Sequence, residues 1–206
     1  MSERADLMII NSLVRQALTS AQEVMGDNGL NTVLKTCGLE RFIGNLPPND
    51  LEPAIQASQY AKFNEAIEAF YGRGGKGILR RIGKASFQYG VREQSALLGV
   101  AGVALKLLPE RQRIKFILNA VADALKKSNP AVNARLDESG ATLAYVESTC
   151  AICHGRHSDT PICHLYVGSL GEAVLWATGR EYAVTETQCI AKGDPYCRFE
   201  IGEARA

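Results

Sequence analysis

Apolar side chains recur at three- and four-residue steps through the first 130 positions and at two-residue steps beyond them, which divides the chain into a helical half and a strand-rich half. Leu7, Ile10, Val14, Leu18 and Ala21 make one apolar stripe and predict a first helix of about five turns. A short helix is predicted over 31–37, stopped by Gly38, where glycine takes the left-handed conformation without steric cost. "NLPPND" reads as a turn, with Asp50 as the cap of a helix running to about Tyr71. "YGRGGKG" at 71–77 lacks the spacing G-x4-G-K-[ST], and no apolar strand leads into it, so it predicts a flexible turn between helices and not a phosphate loop. Further helices are predicted near 77–89, 93–107 and 110–127, with Pro109 at the last break.

After Pro130 the period changes. "AVNARLDESGATLAYVES" alternates around "DESG" and predicts a β-hairpin. Thr160 and Pro161 predict the opening of a helix, with proline at its first position and Gly179 just past its end. Two β-type runs joined by "AKGDP" close the chain. Helices, hairpin, helix, hairpin is the order of an α+β fold: a helical half packed with a small antiparallel sheet and one helix, not a parallel nucleotide-binding sheet. Residues 1–129 are read as the helical region and 130–206 as the strand-rich domain.

Composition narrows the classes. The 206 residues are 46% hydrophobic and 22% charged, with 23 Lys+Arg against 22 Asp+Glu, so neither disorder nor a nucleic-acid footprint is indicated. The N-terminus is charged at residues 3, 4 and 6 and lacks a secretory h-region, and "SALLGVAGVALKLL" at 95–108 is too short to span a bilayer and holds Lys106. The expectation is a cytoplasmic protein, in which six cysteines serve as free thiols or metal ligands and not as disulfides.

Cys189 and Cys197 lie symmetrically about Gly193, so a turn centred there makes them cross-strand neighbours and begins a tetrahedral zinc site, with Zn–S near about 2.3 Å. Glu186 stands three residues before Cys189; in a regular strand the two would face opposite ways, so joint ligation predicts a bulge between them. Cys163, in the first turn of the helix opened by Pro161, is the natural last ligand because the helix N-terminus favours a thiolate.

Cys163, twenty-two residues, then Glu186-x2-Cys189-x7-Cys197, with "GDPYCRFEI" and the "YVGSLGEAVLWATG" helix, resembles the 4-vinyl reductase domain family across about 130–202. The resemblance implies a fold related to TRAPP trafficking subunits, a homodimer built through N-terminal helices, and a small-molecule pocket beside a structural zinc. In phenol-sensing relatives three cysteines and a glutamate hold that zinc; carried over, these are Cys163, Glu186, Cys189 and Cys197. Such a site is closed and clamps the fold without catalysing. Those relatives also grip phenol with a histidine and a tryptophan upstream of the zinc ligands, whereas this chain has no histidine before 154 and only Trp176, so phenol specificity is not carried over.

"CAICHGRH" leaves several readings open for Cys150, Cys153, His154 and His157: a second metal site, a redox thiol pair, a c-type haem attachment, or a loop with reduced thiols and surface histidines, the simplest of the four. Cys37 reads as a small buried side chain and His164 as a helix-surface residue or a group beside the zinc ligands. Tyr145, Tyr166 and Trp176 offer aromatic surface for a pocket, although aromatic residues at helical spacing more often fill a core.

No acid–base constellation or dinucleotide fingerprint stands out, so an enzyme is disfavoured and no catalytic residue is assigned. The resulting expectation is a sensor or carrier that binds a hydrophobic or aromatic small molecule, with structural zinc and a separate signalling partner. A tetrapyrrole vinyl reductase or its accessory protein, and a dimeric scaffold with a trafficking-subunit-like fold, are the alternatives.

Overall fold

The computed structural model of the protein describes residues 6–93, 105 and 107–204. The chain opens not with a helix but with a short strand, β1 (Met8–Ile10), paired antiparallel with β2 (Pro53–Gln56). Leu7 and Ile10 therefore precede the first helix, against the expectation from their spacing. The cause is long-range: the Leu7 carbonyl accepts from the Ala57 backbone N–H at 2.7 Å, and the Asp6 carboxylate accepts from the backbone N–H and hydroxyl of Ser58.

Helix α1 (Asn11–Thr36) runs through both predicted N-terminal helices, broken at Gly26, whose φ of 72° and ψ of 168° are non-helical. A single glycine absorbs the bend because no Cβ opposes a positive φ. Leu30, Val33 and Leu34 then continue the buried stripe begun by Val14, Leu18 and Ala21. Gly38, at φ 74°, turns the chain out of α1 as predicted. Asp50 does not cap α2 (Ala57–Tyr71): its carboxylate accepts from the Glu52 N–H and the Asn11 side-chain amide. The start of α2 is held by Gln59, whose side-chain oxygen accepts from the Gln56 N–H at 3.2 Å. "YGRGGKG" is a tight turn over 72–74 followed directly by α3 (Gly75–Glu93). Helix α4 (Glu110–Ser128) lies where expected; the helix expected over 93–107 falls almost wholly outside the described residues.

The C-terminal half is a four-stranded antiparallel sheet in the order β3 (Ala134–Asp137), β4 (Leu143–Glu147), β6 (Cys197–Ala204) and β5 (Tyr182–Gln188). The "DESG" hairpin joins β3 to β4 as predicted, and Arg198 ties β6 across to Asp137 through a charge-assisted pair. Every residue of β4 is buried, because strands flank it on both sides. Helix α5 (His164–Thr178) packs on this sheet and against α3 and α4, and Gly179 ends it in the left-handed conformation at φ 76°. It begins at His164, three residues later than Pro161 suggested, so Cys163 caps the helix instead of lying in its first turn.

Two glycines decide how closely the halves approach. At Gly83 of α3 a Cβ would lie against the Leu165 carbonyl, and at Gly168 of α5 against the Arg80 carbonyl, 2.7 Å from its carbon. The helices therefore cross backbone to backbone. One continuous core results, with Leu79 and Ile82 from the first half joined to Leu170, Val174 and Phe199 from the second. Tyr145, Tyr166 and Phe199 form an aromatic cluster where α5 meets the sheet, with ring centroids 5.5–6.2 Å apart.

Candidate metal centre

Three segments converge at the N-terminal end of α5. The first is the irregular loop 148–163, which carries Cys150 and Cys153 and delivers Cys163 to the helix cap. The second is the end of β5. The register against β6 slips between Glu186 and Gln188, the bulge that joint use of Glu186 and Cys189 demands. The third is the start of β6, where Cys197 pairs with Glu147 of β4. A short turn over Ile190–Lys192, closed by Gly193 at φ 94°, folds Cys189 back toward Cys197.

The ligand atoms of Cys163, Glu186, Cys189 and Cys197 all lie within 4.8 Å of one another, and so do those of Cys150, Cys153, Cys163 and Cys197. The five thiols are 0–2% exposed. Sulfur–sulfur separations are 3.5 Å for Cys150–Cys163, 3.4 Å for Cys153–Cys197, 3.9 Å for Cys163–Cys189 and 3.8 Å for Cys163–Cys197. A tetrahedral zinc thiolate with Zn–S near 2.3 Å has edges of about 3.8 Å, so these are the spacings of ligands around a common ion.

Glu186 supplies the sharpest test of whether a metal fits. One of its carboxylate oxygens, Oε2, accepts from the Cys163 N–H at 2.7 Å and so satisfies the start of α5. The other, Oε1, is buried without any hydrogen-bond partner. Burial pushes this carboxyl up from its ordinary range. A buried carboxylate oxygen left without a donor is costly, and a cation among the adjacent thiols removes that cost. Burial likewise pushes the Cys150 thiol up to about 12, so without a cation it stays protonated. The Ile190 backbone N–H points at the Cys197 sulfur at 3.4 Å, an orientation suited to a thiolate acceptor.

The histidines of the opening motif stand apart. His154 lies 3.6 Å from Asp6, and His157 is exposed. Cys150 and Cys153 are turned into the sulfur cluster, away from any surface at which a haem would attach. His164 is 6% exposed and not a helix-surface residue: the bend of the preceding loop places it inside, where Lys76, Arg80 and Arg156 surround it and its Nε2 has no partner. Burial and those three cations push it down to about 4, so it is neutral. Cys37 is half-buried at the end of α1, far from the cluster in the chain.

Of the aromatic candidates, Tyr145 and Tyr166 are core residues packed on Phe199. Trp176 instead lines a cleft of about 140 Å³ with Phe87, Val91, Gln88, Arg92 and Glu172. The sequence reading missed Glu147, which is 2% exposed. Tyr145 donates to its carboxylate at 3.4 Å, and burial pushes that carboxyl up to about 7. A lone glutamate ending a strand carries no signal of burial; only its place between β3 and β6 decides it.

Residues 143–203, which contain the bulge, the α5 cap and all four donors of the Cys163, Glu186, Cys189 and Cys197 set, match the family described as the V4R domain. This segment, under a third of the chain, is similar to V4R domains. The segment is also similar to the bacteriochlorophyll synthase 23 kDa chain of Cereibacter sphaeroides, 36% identical over 63 residues. That match takes in 31% of each chain, so the protein spans about a third of this relative's length. Over nearly the whole protein the fold resembles H-NOX domains. A structure probing heme distortion in the H-NOX family superposes with a TM-score of 0.63 at 12% identity, covering 94% of this chain and 93% of that one. An H-NOX protein from S. oneidensis in the Fe(II)NO state gives 0.56 at 12% identity over 96% and 100%. A mutant H-NOX protein from K. algicida gives 0.61 at 12% identity over 96% and 97%. The sequence reading anticipated the V4R domain but not this relation, because at such identity the shared feature is the path of the backbone.

Proposed function

We propose that this protein is a cytoplasmic sensor or carrier that binds a hydrophobic or aromatic small molecule, with a structural zinc held by Cys163, Glu186, Cys189 and Cys197. The observation that carries the metal is the unpartnered Oε1 of Glu186 among buried thiols. Four protein ligands leave no open position, so the ion would cross-link α5, β5 and β6 and supply stability, not a reactive water. Glu186 would play two parts at once, ligating through Oε1 and capping α5 through Oε2.

Ligand binding is supported by the fold shared with H-NOX domains, among them an oxygen-binding domain and one in an Fe(II)NO ligation state. The cleft at Trp176 is a candidate point of contact. It is open to solvent, has Gln88, Arg92 and Glu172 beside its apolar residues, and at about 140 Å³ is smaller than the roughly 300–1,000 Å³ usual for ligand pockets. The helical region 1–129 would build the homodimer and one wall of this cleft, while 130–206 provides the clamp.

The match to a bacteriochlorophyll synthase chain favours a second reading, in which the ligand is a tetrapyrrole and the protein assists reduction of its vinyl group. Native mass spectrometry of protein purified without chelator separates the two. Zinc with a copurified small aromatic molecule supports the first reading, and a tetrapyrrole mass with its Soret absorption supports the second. Metal-free protein that also takes up no added zinc refutes the metal centre. Sedimentation at micromolar concentration tests the dimer, which a monomer would exclude.

A further inference from the structure

We infer that the cluster is built for two zinc ions, bridged by the thiolates of Cys163 and Cys197, with Cys150 and Cys153 completing one ion and Glu186 and Cys189 the other. The inference rests on the metal-centre reading above and extends it to the two cysteines that the single site leaves idle.

Two sets of four donors meet the distance criterion of a common ion, and they share one edge, Cys163–Cys197, 3.8 Å long. That edge matches the about 3.8 Å of a zinc–thiolate tetrahedron, so each of the two sulfurs can belong to both coordination spheres. A single ion in the Glu186 set would leave the Cys150 sulfur 3.5 Å from Cys163 and the Cys153 sulfur 3.4 Å from Cys197, both buried and both against a ligated thiolate. Adding a second Zn²⁺ with two further thiolates leaves the net charge of the buried cluster unchanged, so the larger centre carries no added burial penalty for net charge.

Loop 148–163 points the same way. Its sixteen residues have no helix or strand, yet Cys150, Ile152, Cys153 and Ile162 are buried. Structureless loops beyond about 12–15 residues in a compact domain usually carry function. Outside the sulfur cluster, contacts that tie this loop to distant elements include Ser158 N–H donating to the Ala191 carbonyl at 3.0 Å and Arg156 pairing with Glu68 at 2.6 Å. A metal bound through Cys150 and Cys153 would anchor its first half, where Gly155 at φ 69° turns the chain immediately after the pair.

The test is metal stoichiometry on the full chain, by elemental analysis and native mass spectrometry after saturation with zinc and removal of the excess. Two zinc ions per wild-type chain are expected, falling to one in the C150S/C153S double variant. Cobalt(II) titration of the wild type gives a second readout that does not depend on how that variant folds. The first equivalent should produce the electron paramagnetic resonance of an isolated tetrahedral ion, and the second should diminish the signal per cobalt as bridging thiolates couple the spins. Saturation at one metal, with no loss in the double variant, overturns the two-ion centre while leaving the single clamp intact. Iron with acid-labile sulfide and visible absorption overturns it in favour of a cluster on the four-cysteine set. No metal at all removes both readings.

Discussion

Replacing Gly168 by alanine tests the backbone crossing on which the union of the two halves depends. A Cβ there would lie against the Arg80 carbonyl oxygen, 2.7 Å from its carbon and 2.8 Å from its Cα, where ordinary contact begins at 3.4 Å. All three are backbone atoms of a helix, so no side chain can swing aside and α3 and α5 must separate. A gap on the order of 0.5–1 Å forfeits a quarter to a half of the dispersion well for each contact along the crossing. Overpacking of this kind costs about 1–3 kcal/mol, and the backbone origin puts this case at the upper end. For a chain of this length about 3 kcal/mol lowers Tm by roughly 6–12 °C. Gly171, one turn along the same helix, is the control: its nearest neighbour is the Val184 side chain at 3.8 Å, and Gly171→Ala should be neutral or stabilising by up to about 1 kcal/mol. Thermal unfolding followed by circular dichroism, with all proteins in the same metal state, reads the contrast. Equal Tm values for the two variants would refute the close crossing.

Glu147→Gln should change the pH dependence of stability. Burial raises this carboxyl from its ordinary 4.5 to about 7, so the folded chain retains a proton that the unfolded chain releases, and stability falls as pH rises from about 4.5 to about 7. The variant should exceed the wild type by up to about 3 kcal/mol at pH 8 and by little near pH 5, measured by urea unfolding at saturating metal; a constant difference would exclude this origin. Glu186→Gln keeps an acceptor for the Cys163 N–H but loses the charged ligand, so zinc should be stripped by a competing chelator at least about tenfold more readily, with α5 still formed by circular dichroism. Unchanged zinc affinity would remove Glu186 from the ligand set. Gly179→Ala forces a Cβ into the left-handed conformation at φ 76° and should cost about 1–2 kcal/mol in thermal unfolding.

Local chemistry made much of this protein legible from its sequence. The change from helical to strand periodicity at Pro130, the "DESG" hairpin and the Gly179 stop depend on neighbouring residues alone, and each lies where its pattern places it. The bulge after Glu186 was legible for the same reason: a three-residue spacing cannot put two side chains on one face of a regular strand. What required the tertiary structure involved partners far away in the chain. Leu7 to Ile10 have the spacing of a helix, but backbone hydrogen bonding to a segment some 46 residues later makes them a strand and its approach. Cys150 and Cys153 read as a self-contained pair, because spacing describes the pair and says nothing of what a long loop packs against. Folding sets them beside Cys163 and Cys197 in one sulfur cluster. Sequence thus determined most of the elements and the side-chain types that could ligate, since those are properties of short stretches. Which thiols and carboxylate lie together was decided only when three distant segments met at the end of α5.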